Sequence, residues 1–311
     1  MRSDIQRIAI IGSGVIGSGW VIRLIAKKKT VNVFEPNSSQ KKFLIEEIKR
    51  TSKNIKKFYG INKLDLSKIH FKESIKEAVK DVHLVQENTP ENISIKKKII
   101  KQISKSSNKK TIISSSSSGL LPSKIQSACL FPERFLIAHP FNPVYLLPLV
   151  ELVKGNKTKN NYLNKAKKFY ESLDMVTLVL KKEVEGYLSD RLQESMWRES
   201  LHILNENLAS TDDLDKAIIH GPGLRWSLMG TFLTFHLAGG KMGMKHMLEQ
   251  FGPALKLPWT KLKAPKLTKK LSTKIIAETK KQSRGKSIKE LTDLRDNFLI
   301  DLLKLKNKYI I

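Results

Sequence analysis

A glycine motif between two short apolar runs constrains the fold of this chain more than any other feature. The run Arg7 to Ile11, RIAII, is typical of a buried strand and leads directly into Gly12-Ser13-Gly14-Val15-Ile16-Gly17. A helical pattern follows, and then a second strand pattern from Thr30 to Glu35. In this context the three glycines allow a tight turn, close approach of backbone to a pyrophosphate, and close packing of helix on strand. The six motif residues are therefore predicted to bind a dinucleotide at a helix N-terminus.

The acidic residue that closes the second strand indicates which dinucleotide binds. Glu35 follows the glycines at the separation along the sequence that lets its carboxylate accept hydrogen bonds from the adenosine ribose hydroxyls. The same carboxylate would repel a 2′-phosphate. The sequence therefore predicts NAD as the cofactor in preference to NADP.

Further strand and helix patterns extend this start into a whole architecture. Short strands are predicted at Val82 to Val85 and Thr111 to Ile113, and the lysine-rich region from Pro36 to Lys80 has a helical pattern. The predicted fold class is α/β, with a Rossmann-type doubly wound sheet in residues 1–184 followed by an all-α domain in residues 185–311. In the second part, Leu188 to Leu208 predicts an amphipathic helix whose leucines and methionine are mostly core.

Composition excludes several other classes of protein. The chain of 311 residues has one cysteine, Cys129, so an internal disulfide framework is excluded and a cytoplasmic location is expected. No metal site and no membrane-spanning run is predicted. The net charge of +28 suits a nucleic-acid partner, but the lysines are spread along the chain without interleaved aromatics, so we predict none.

Two polar segments follow the later strand patterns. The loop QENTPE, residues 86–91, comes after one strand, and the serine segment, residues 114–119 with sequence SSSSSG, comes after the next. Five serines in a row can also form a flexible linker. Because these serines directly follow a buried strand, we interpret them as part of the ligand-binding edge at the carboxyl ends of parallel strands.

A histidine and a glutamate end two successive apolar runs. One run ends at His139, an Asn142-Pro143 pair indicates a turn, and the run Val144 to Val150 ends at Glu151. If the segment folds back on itself, the carboxylate can orient the imidazole and make it a general base. The alternative, a core histidine and an unrelated surface glutamate, stays open on these residues alone.

Taken together, these motifs resemble the 3-hydroxyacyl-CoA dehydrogenase family over essentially the whole chain. The resemblance is carried by the glycine motif, the serines ending at Ser118, the His-x-x-Asn-Pro-Val segment and Leu149-Val150-Glu151. It implies that His139 is the base, that Glu151 pairs with it, and that Ser118 contacts both substrate and cofactor. It also implies a homodimer formed through the helical domain, and nicotinamide nucleotide contacts from Glu91, Lys96 and Asn142.

One departure from the family pattern bears on the substrate. Where acyl-CoA enzymes of the family have Asn followed by Arg, this chain has Asp190-Arg191, and an anionic side chain there favours a cationic substrate. The segments SDRLQESMWRES and HGPGLRWSLMGTFLTFHLAGG resemble the branch of the family that oxidises L-carnitine, a small zwitterion. We therefore count Asp190 among the catalytic residues.

Carnitine requires aromatic faces for its trimethylammonium group and a cation for its carboxylate. The candidate aromatics are Tyr145, Tyr187, Trp197, Trp226 and Phe235, and the candidate cations are Arg191, Arg198 and Arg225. Most of these aromatics could equally be core residues. Two enzyme alternatives remain, oxidation of a 3-hydroxyacyl-CoA or of gulonate, beside a non-catalytic redox-sensing or nucleic-acid-binding role.

Overall fold

The computed structural model describes residues 4–260, 263, 266, 268–282, 284–306 and 308, and it divides into two compact units. The first unit is Met1–Asp190 and the second is Arg191–Ile311. The boundary after residue 184 that we expected from the sequence stays a prediction about domain organisation.

The first unit is built on one eight-stranded sheet with the order β3-β2-β1-β4-β5-β6-β7-β8. Strands β1 to β6 are parallel to one another, β7 is antiparallel to β6, and β8 is parallel to β7. The order reverses between β1 and β4, which is where sheets of this type bind ligands. The predicted fold class is confirmed. The strands are β1 Arg7–Ile11, β2 Thr30–Phe34, β3 Ile69–Lys72, β4 Leu84–Glu87, β5 Ile112–Ser115, β6 Phe135–Pro140, β7 Leu149–Lys154 and β8 Val176–Val179.

Six α-helices accompany this sheet: α1 Val15–Ala26, α2 Ser38–Tyr59, α3 Ile75–Val79, α4 Ile93–Ser106, α5 Pro122–Gln126 and α6 Asn160–Glu171. Short 3₁₀ turns occur at Leu66–Lys68 and Pro132–Arg134. Local chemistry sets where the helices begin. The Asn92 side chain, for example, accepts hydrogen bonds from the backbone N–H groups of Ser94 and Ile95 at the start of α4.

The interpretation of Pro36 to Lys80 as helical was wrong for the part of this region that lies between α2 and α3. Helix α2 ends at Tyr59, and the φ of 63° at the next residue, Gly60, lies in the left-handed region that glycine adopts without strain. The chain then forms the edge strand β3, IHFK, with two of its four side chains exposed. A short edge strand of this kind contains charged residues and lacks a clear apolar alternation, so its pattern is weak.

The core of the first unit lies on both faces of the central strands. Successive residues of a strand point to opposite faces, and Ala9 and Ile10 on β1, like Leu84 and Val85 on β4, are all completely buried. Such strands show continuous apolar runs because helices cover the sheet on both sides. The core therefore holds the carboxyl ends of these strands, and the loops that follow them, in fixed relative positions.

The second unit is helical. Its helices are α7 Ser189–Asn205, which begins with the last two residues of the first unit, α8 Thr211–Ile219, α9 Pro222–Trp226, α10 Thr231–Ala238, α11 Met244–Phe251, α12 Lys269–Gln282 and α13 Ile288–Lys306, with 3₁₀ turns at Gly240–Met242 and Gly252–Lys256. Capping boxes start two of them. Ser210 and Asp213 exchange hydrogen bonds at the start of α8, and Ser287 and Glu290 do so at α13.

Large apolar side chains are unusually exposed in this second unit. We expected five apolar residues between Leu188 and Leu208 to be mostly core. This was wrong for Leu192 and Met196 on α7 and for Leu208 after its end, which are exposed, while Leu201 and Leu204 are buried. Phe298 on α13 is also exposed. Among the described residues, no helix is long and apolar enough to cross a membrane.

Candidate active site

The glycine turn after β1 forms an open cradle at the start of α1. A Cβ on Gly17 would lie 2.0 Å from the Gly12 carbonyl oxygen, so only glycine fits at position 17. A Cβ on Gly14 would meet nothing closer than Gln40 Oε1 at 3.8 Å. No side chain caps α1, whose N-terminal N–H groups are thus left for an anion. These features fit the pyrophosphate of a dinucleotide.

The other predicted cofactor residues surround this cradle. Glu35 Oε2 accepts a hydrogen bond of 2.7 Å from the Ser13 N–H, and its Oε1 accepts one of 3.0 Å from the Asn37 N–H. These bonds orient the carboxylate at the carboxyl end of β2, where an adenosine ribose would lie. Val15 is exposed in the first turn of α1, and Ile16 beside it is half-buried.

Strand register brings the predicted base and its carboxylate together. His139 on β6 and Glu151 on β7 are directly opposite each other in the antiparallel pair. His139 Nδ1 lies 2.9 Å from Glu151 Oε2. Glu151 is completely buried and His139 is nearly so. Since the carboxylate accepts from Nδ1–H, it fixes the tautomer in which Nε2 is free to take a proton.

The other oxygen of Glu151 binds the start of helix α7. Glu151 Oε1 accepts hydrogen bonds from the N–H groups of Leu188 and Ser189 at 3.1 and 3.0 Å, and from the Ser189 hydroxyl at 3.1 Å. Burial alone would raise the pKa of Glu151, but the hydrogen bonds from His139 and these two N–H groups lower it below its ordinary value. Glu151 is thus ionised at neutral pH.

Asp190, in the first turn of α7, lies on the opposite side of the imidazole. Its Oδ2 is 3.6 Å from His139 Nε2, and its side chain is one-third exposed. The ring therefore stands between two carboxylates, a buried one at Nδ1 and a partly solvated one near Nε2. This arrangement can stabilise a protonated imidazole or attract a cationic group to its reactive side.

Two aromatic rings flank His139. The Phe141 ring is edge-on to the imidazole at 5.3 Å between ring centroids, and the Tyr187 ring is tilted at 5.5 Å. Phe141 is half-buried and was not among the predicted site residues, although its place inside the His-x-x-Asn-Pro-Val segment could have indicated it. It lies beside His139 with part of its surface accessible.

Two of the five aromatic candidates for the trimethylammonium site are excluded by burial. Tyr187 is fully buried and its hydroxyl donates to the Leu120 carbonyl, so it offers no face to a ligand. Tyr145 is also buried, with its hydroxyl 2.9 Å from an Arg50 nitrogen. The other three predicted aromatics are exposed in the second unit: Trp197, Trp226 and Phe235. Of the candidate cations, Arg191 and Arg225 are also exposed, whereas Arg198 is half-buried and pairs with Glu194.

Glu91 binds the serine segment. Its Oε1 accepts hydrogen bonds from the Ser117 hydroxyl at 2.5 Å and from the N–H groups of Ser118 and Gly119 at 3.0 and 3.1 Å. Ser118 itself is exposed at the carboxyl edge of the sheet, and Asn142 is exposed after β6. Burial alone would raise the pKa of Glu91, but the Ser117 hydrogen bond and the charge of Lys96 lower it.

Lys96 is buried at the start of α4, away from solvent. Its Nζ donates to both carboxylate oxygens of Glu87, at 3.1 and 3.2 Å, and to the Thr89 carbonyl at 2.9 Å. The sequence resemblance had implied a direct contact with the nucleotide. Among the described residues, no group of three or more His, Cys, Asp or Glu side chains could hold a metal ion.

Comparison with known protein families identifies the family to which this chain belongs. Residues 7–184 match the NAD-binding domain of 3-hydroxyacyl-CoA dehydrogenases, and residues 186–282 match the C-terminal domain of the same enzymes. The chain belongs to the 3-hydroxyacyl-CoA dehydrogenase family. The resemblance seen in the sequence motifs is confirmed, and the cofactor of this dehydrogenase is NAD.

Relatives within the family match nearly end to end. A protein of Oceanobacillus iheyensis named L-carnitine dehydrogenase is 45% identical over 304 residues, which cover 98% of this chain and 99% of the relative. A protein of Pseudomonas putida with the same name is 43% identical over 302 residues, covering 97% and 94%.

Two solved structures share the fold of this chain. An NAD⁺-dependent 5-formyl-3-hydroxy-2-methylpyridine 4-carboxylic acid 5-dehydrogenase superposes with a TM-score of 0.81 at 22% identity, covering 97% of this chain and 99% of its own. The (S)-3-hydroxybutyryl-CoA dehydrogenase of Ralstonia eutropha gives 0.64 at 23% identity, covering 79% and 85%.

Replacing Glu35 tests how this family member selects NAD. In Glu35→Ser the ribose hydroxyls lose a charged acceptor and a 2′-phosphate is no longer repelled. Because a hydrogen bond to a charged group contributes about 1.5 to 3 kcal/mol, the ratio of kcat/KM for NAD over NADP should fall at least about tenfold. Glu46→Ser removes an exposed carboxylate on α2 and serves as the control. An unchanged ratio in Glu35→Ser would contradict the assignment.

Proposed function

We propose that this protein oxidises the 3-hydroxyl of L-carnitine to a ketone with NAD as hydride acceptor. The main support for L-carnitine as the substrate is the near full-length similarity to proteins named L-carnitine dehydrogenase. The site geometry supports the reaction class, because an imidazole backed by a buried carboxylate is suited to removing an alcohol proton.

In this proposal each residue of the site has a separate role in the reaction. NAD, when bound, accepts the hydride from C3 of the substrate. His139 takes the hydroxyl proton at Nε2, and Glu151 stabilises the imidazolium that results. The exposed Ser118 hydroxyl donates a hydrogen bond to the substrate oxygen as it becomes a carbonyl oxygen. Asn142 positions the nicotinamide from the turn after β6.

The place of Asp190 fits the cationic end of carnitine. In carnitine the quaternary nitrogen is two bonds from C3, so a substrate whose 3-hydroxyl meets His139 Nε2 brings its cation close to Asp190. At about 5 Å and an effective dielectric constant of about 20 the attraction is on the order of 3 kcal/mol. The accessible part of Phe141 can add a cation–π contact of about 0.5 to 2 kcal/mol.

Other substrates compete with this proposal. A 3-hydroxyacyl-CoA or gulonate could use the same base and cofactor, but neither brings a cation to Asp190. The net charge of +28 suggests a redox-sensing or nucleic-acid-binding role, but neither role would require the His139–Glu151 pair. Salt-sensitive DNA binding without dehydrogenase activity would favour that alternative.

Substrate comparison tests the proposal directly. Initial rates of NAD reduction should be highest with L-carnitine among L-carnitine, 3-hydroxybutyryl-CoA and gulonate. In Asp190→Asn the KM for L-carnitine should rise at least about tenfold because the charge attraction is lost. The kcat/KM for 3-hydroxybutyrate, which lacks the trimethylammonium group, should not fall. Equal losses with both substrates would show that Asp190 does not recognise the cation.

A second comparison tests the base. His139→Ala should lower kcat by about 10² to 10⁴, the usual contribution of a general base, while NADH binding measured by fluorescence survives. Glu151→Gln should lower kcat as well, since the amide cannot stabilise the imidazolium. The exposed His70 on β3 provides the control variant His70→Ala. Near-normal turnover of His139→Ala would remove the central assignment.

The proposal includes a homodimer formed through the second unit and a cytoplasmic location. Of the 31 large apolar residues that are exposed among the described residues, 22 lie in the second unit, although it is the smaller of the two. Exposed apolar surface of this extent is typical of an interface. The location rests on the single thiol, Cys129, which needs no oxidising compartment.

Mass in solution tests the dimer. Sedimentation equilibrium at micromolar concentration should give twice the chain mass of 35.4 kDa. Replacing two strongly exposed residues of the second unit, Phe232→Ser with Leu255→Ser, should weaken association because apolar burial drives it. Leu130→Ser, an equally drastic change at an exposed position of the first unit, should not. A monomeric wild type would contradict this part of the proposal.

A further inference from the structure

We propose that Arg23 on α1 is a positioning residue for the nicotinamide: its guanidinium group binds the backbone that follows Asn142, and so fixes where the Asn142 side chain lies. This inference deepens the proposed function and rests on it for the role of Asn142. All the residues involved lie in the first unit. Arg23 itself takes no part in the proton or hydride transfer.

The first observation is that the guanidinium group of Arg23 is buried and binds only backbone carbonyls through the hydrogen bonds described here. Arg23 is 1% exposed. Its Nε donates to the Val144 carbonyl at 2.7 Å, Nη2 to that of Leu147 at 2.9 Å and Nη1 to that of Leu173 at 2.8 Å. Burying a charge is costly unless the charge is well hydrogen-bonded. The planar fork of arginine meets this condition by reaching three acceptors in different directions.

The second observation is that side chains of two helices hold the segment that directly follows Asn142, residues 143–147. This segment lies after the end of β6 and before the start of β7, so the strand ladder does not hold it. Two of its carbonyls accept from Arg23. The Tyr145 carbonyl between them accepts a hydrogen bond of 3.0 Å from the Tyr59 hydroxyl on α2. The segment is thus attached to α1 and α2 through its backbone oxygens.

The third observation is that α1 also packs closely against this segment. A Cβ on Gly19, one turn before Arg23, would lie 2.9 Å from Val144 Cβ, so the backbone of α1 lies directly against that residue. The same helix begins at the glycine cradle, which fits the pyrophosphate of the cofactor. One rigid helix therefore carries the cradle for one part of the cofactor and sets the turn from which Asn142 reaches the nicotinamide.

Loss of the guanidinium group would reach the cofactor through this turn. Three buried carbonyls would lose a charged donor, and the segment 143–147 could shift together with Asn142. A displacement of about 1 Å at a group that orients a reactant can lower the rate by about 10². A residue that contributes only to stability would instead weaken the fold without changing how the nicotinamide is held.

Arg23→Met tests this role by comparing two ligands. NADH contains the nicotinamide, whereas ADP-ribose contains the same adenosine and pyrophosphate without it. In Arg23→Met the dissociation constant for NADH should rise at least about threefold through a weakened hydrogen bond to the nicotinamide, while that for ADP-ribose changes less than about twofold. At saturating NAD, kcat with L-carnitine should fall at least about tenfold because the nicotinamide is misaligned. An unchanged ratio of the two dissociation constants would overturn the proposal.

Arg134→Met is the matched control, because Arg134 is a second buried guanidinium group that donates to three backbone carbonyls. Arg134 lies just before the start of β6, whereas Asn142 follows the end of that strand. Arg134→Met should lower the melting temperature, as Arg23→Met does, but leave the ratio of the NADH and ADP-ribose dissociation constants unchanged. An equal rise of this ratio in both variants would reduce the role of Arg23 to stability and overturn the proposal.

A double-mutant cycle with Asn142→Ala tests whether Arg23 acts through Asn142. Asn142→Ala alone should weaken NADH binding, since the nicotinamide loses its partner. Adding Arg23→Met to Asn142→Ala should then raise the dissociation constant for NADH by less than about twofold more, because residues that act through one contact are not additive. Fully additive losses would show that Arg23 acts without Asn142, against the proposal.

Arg23→Lys covers the case in which Arg23→Met does not fold. Lysine keeps the buried charge, but its nitrogen takes the place of the guanidinium carbon and cannot reach three carbonyls in three directions at once. A raised ratio of the NADH to the ADP-ribose dissociation constant in folded Arg23→Lys supports the proposal, and the wild-type ratio overturns it. Binding of these ligands does not depend on turnover, so a wild type that fails to oxidise L-carnitine would sink the proposed function and leave this comparison intact.

Discussion

The two oxygens of Glu151 connect the parts of the molecule on which the proposed chemistry depends. One oxygen binds His139, and the other binds the backbone at the start of α7. Because this helix start also carries Asp190, a single buried carboxylate determines both the tautomer of the imidazole and the position of the charge near its reactive nitrogen. The four donors around Glu151 keep it ionised despite its burial, since each hydrogen bond favours the charged form.

Two further carboxylates of this site also accept hydrogen bonds from backbone N–H groups. Glu35 accepts from backbone N–H groups beside the glycine turn, and Glu91 accepts from backbone N–H groups of the serine segment. Each one holds a loop at the carboxyl edge of the sheet by satisfying donors that no strand partner reaches. The rigid sheet provides the framework, and these charge-assisted bonds set the loops on it.

The parts of the fold that were predictable from sequence are those with local causes. The strand, glycine turn and helix at the start of the chain depend on neighbouring residues, and the return of the chain after His139 depends on a turn of few residues. The edge strand β3 was missed because its pairing with β2 is a long-range contact. The burial of Tyr145 and Tyr187, and the exposure of Leu192, follow from which surfaces pack together, which residue type alone does not determine. The same holds for Lys96, whose partner Glu87 depends on how α4 packs on the sheet.

The antiparallel pairing of β6 with β7 has a consequence for how sequences of this kind can vary. Side chains of a strand alternate between the two faces of a sheet, so deleting one residue inside β7 would turn Glu151 away from His139 and present a neighbouring valine or leucine instead. A change of length in the intervening loop, residues 141–148, leaves that alternation untouched. Insertions and deletions between the two strands are therefore compatible with an intact His139–Glu151 pair, whereas a shift of one position within either strand is not.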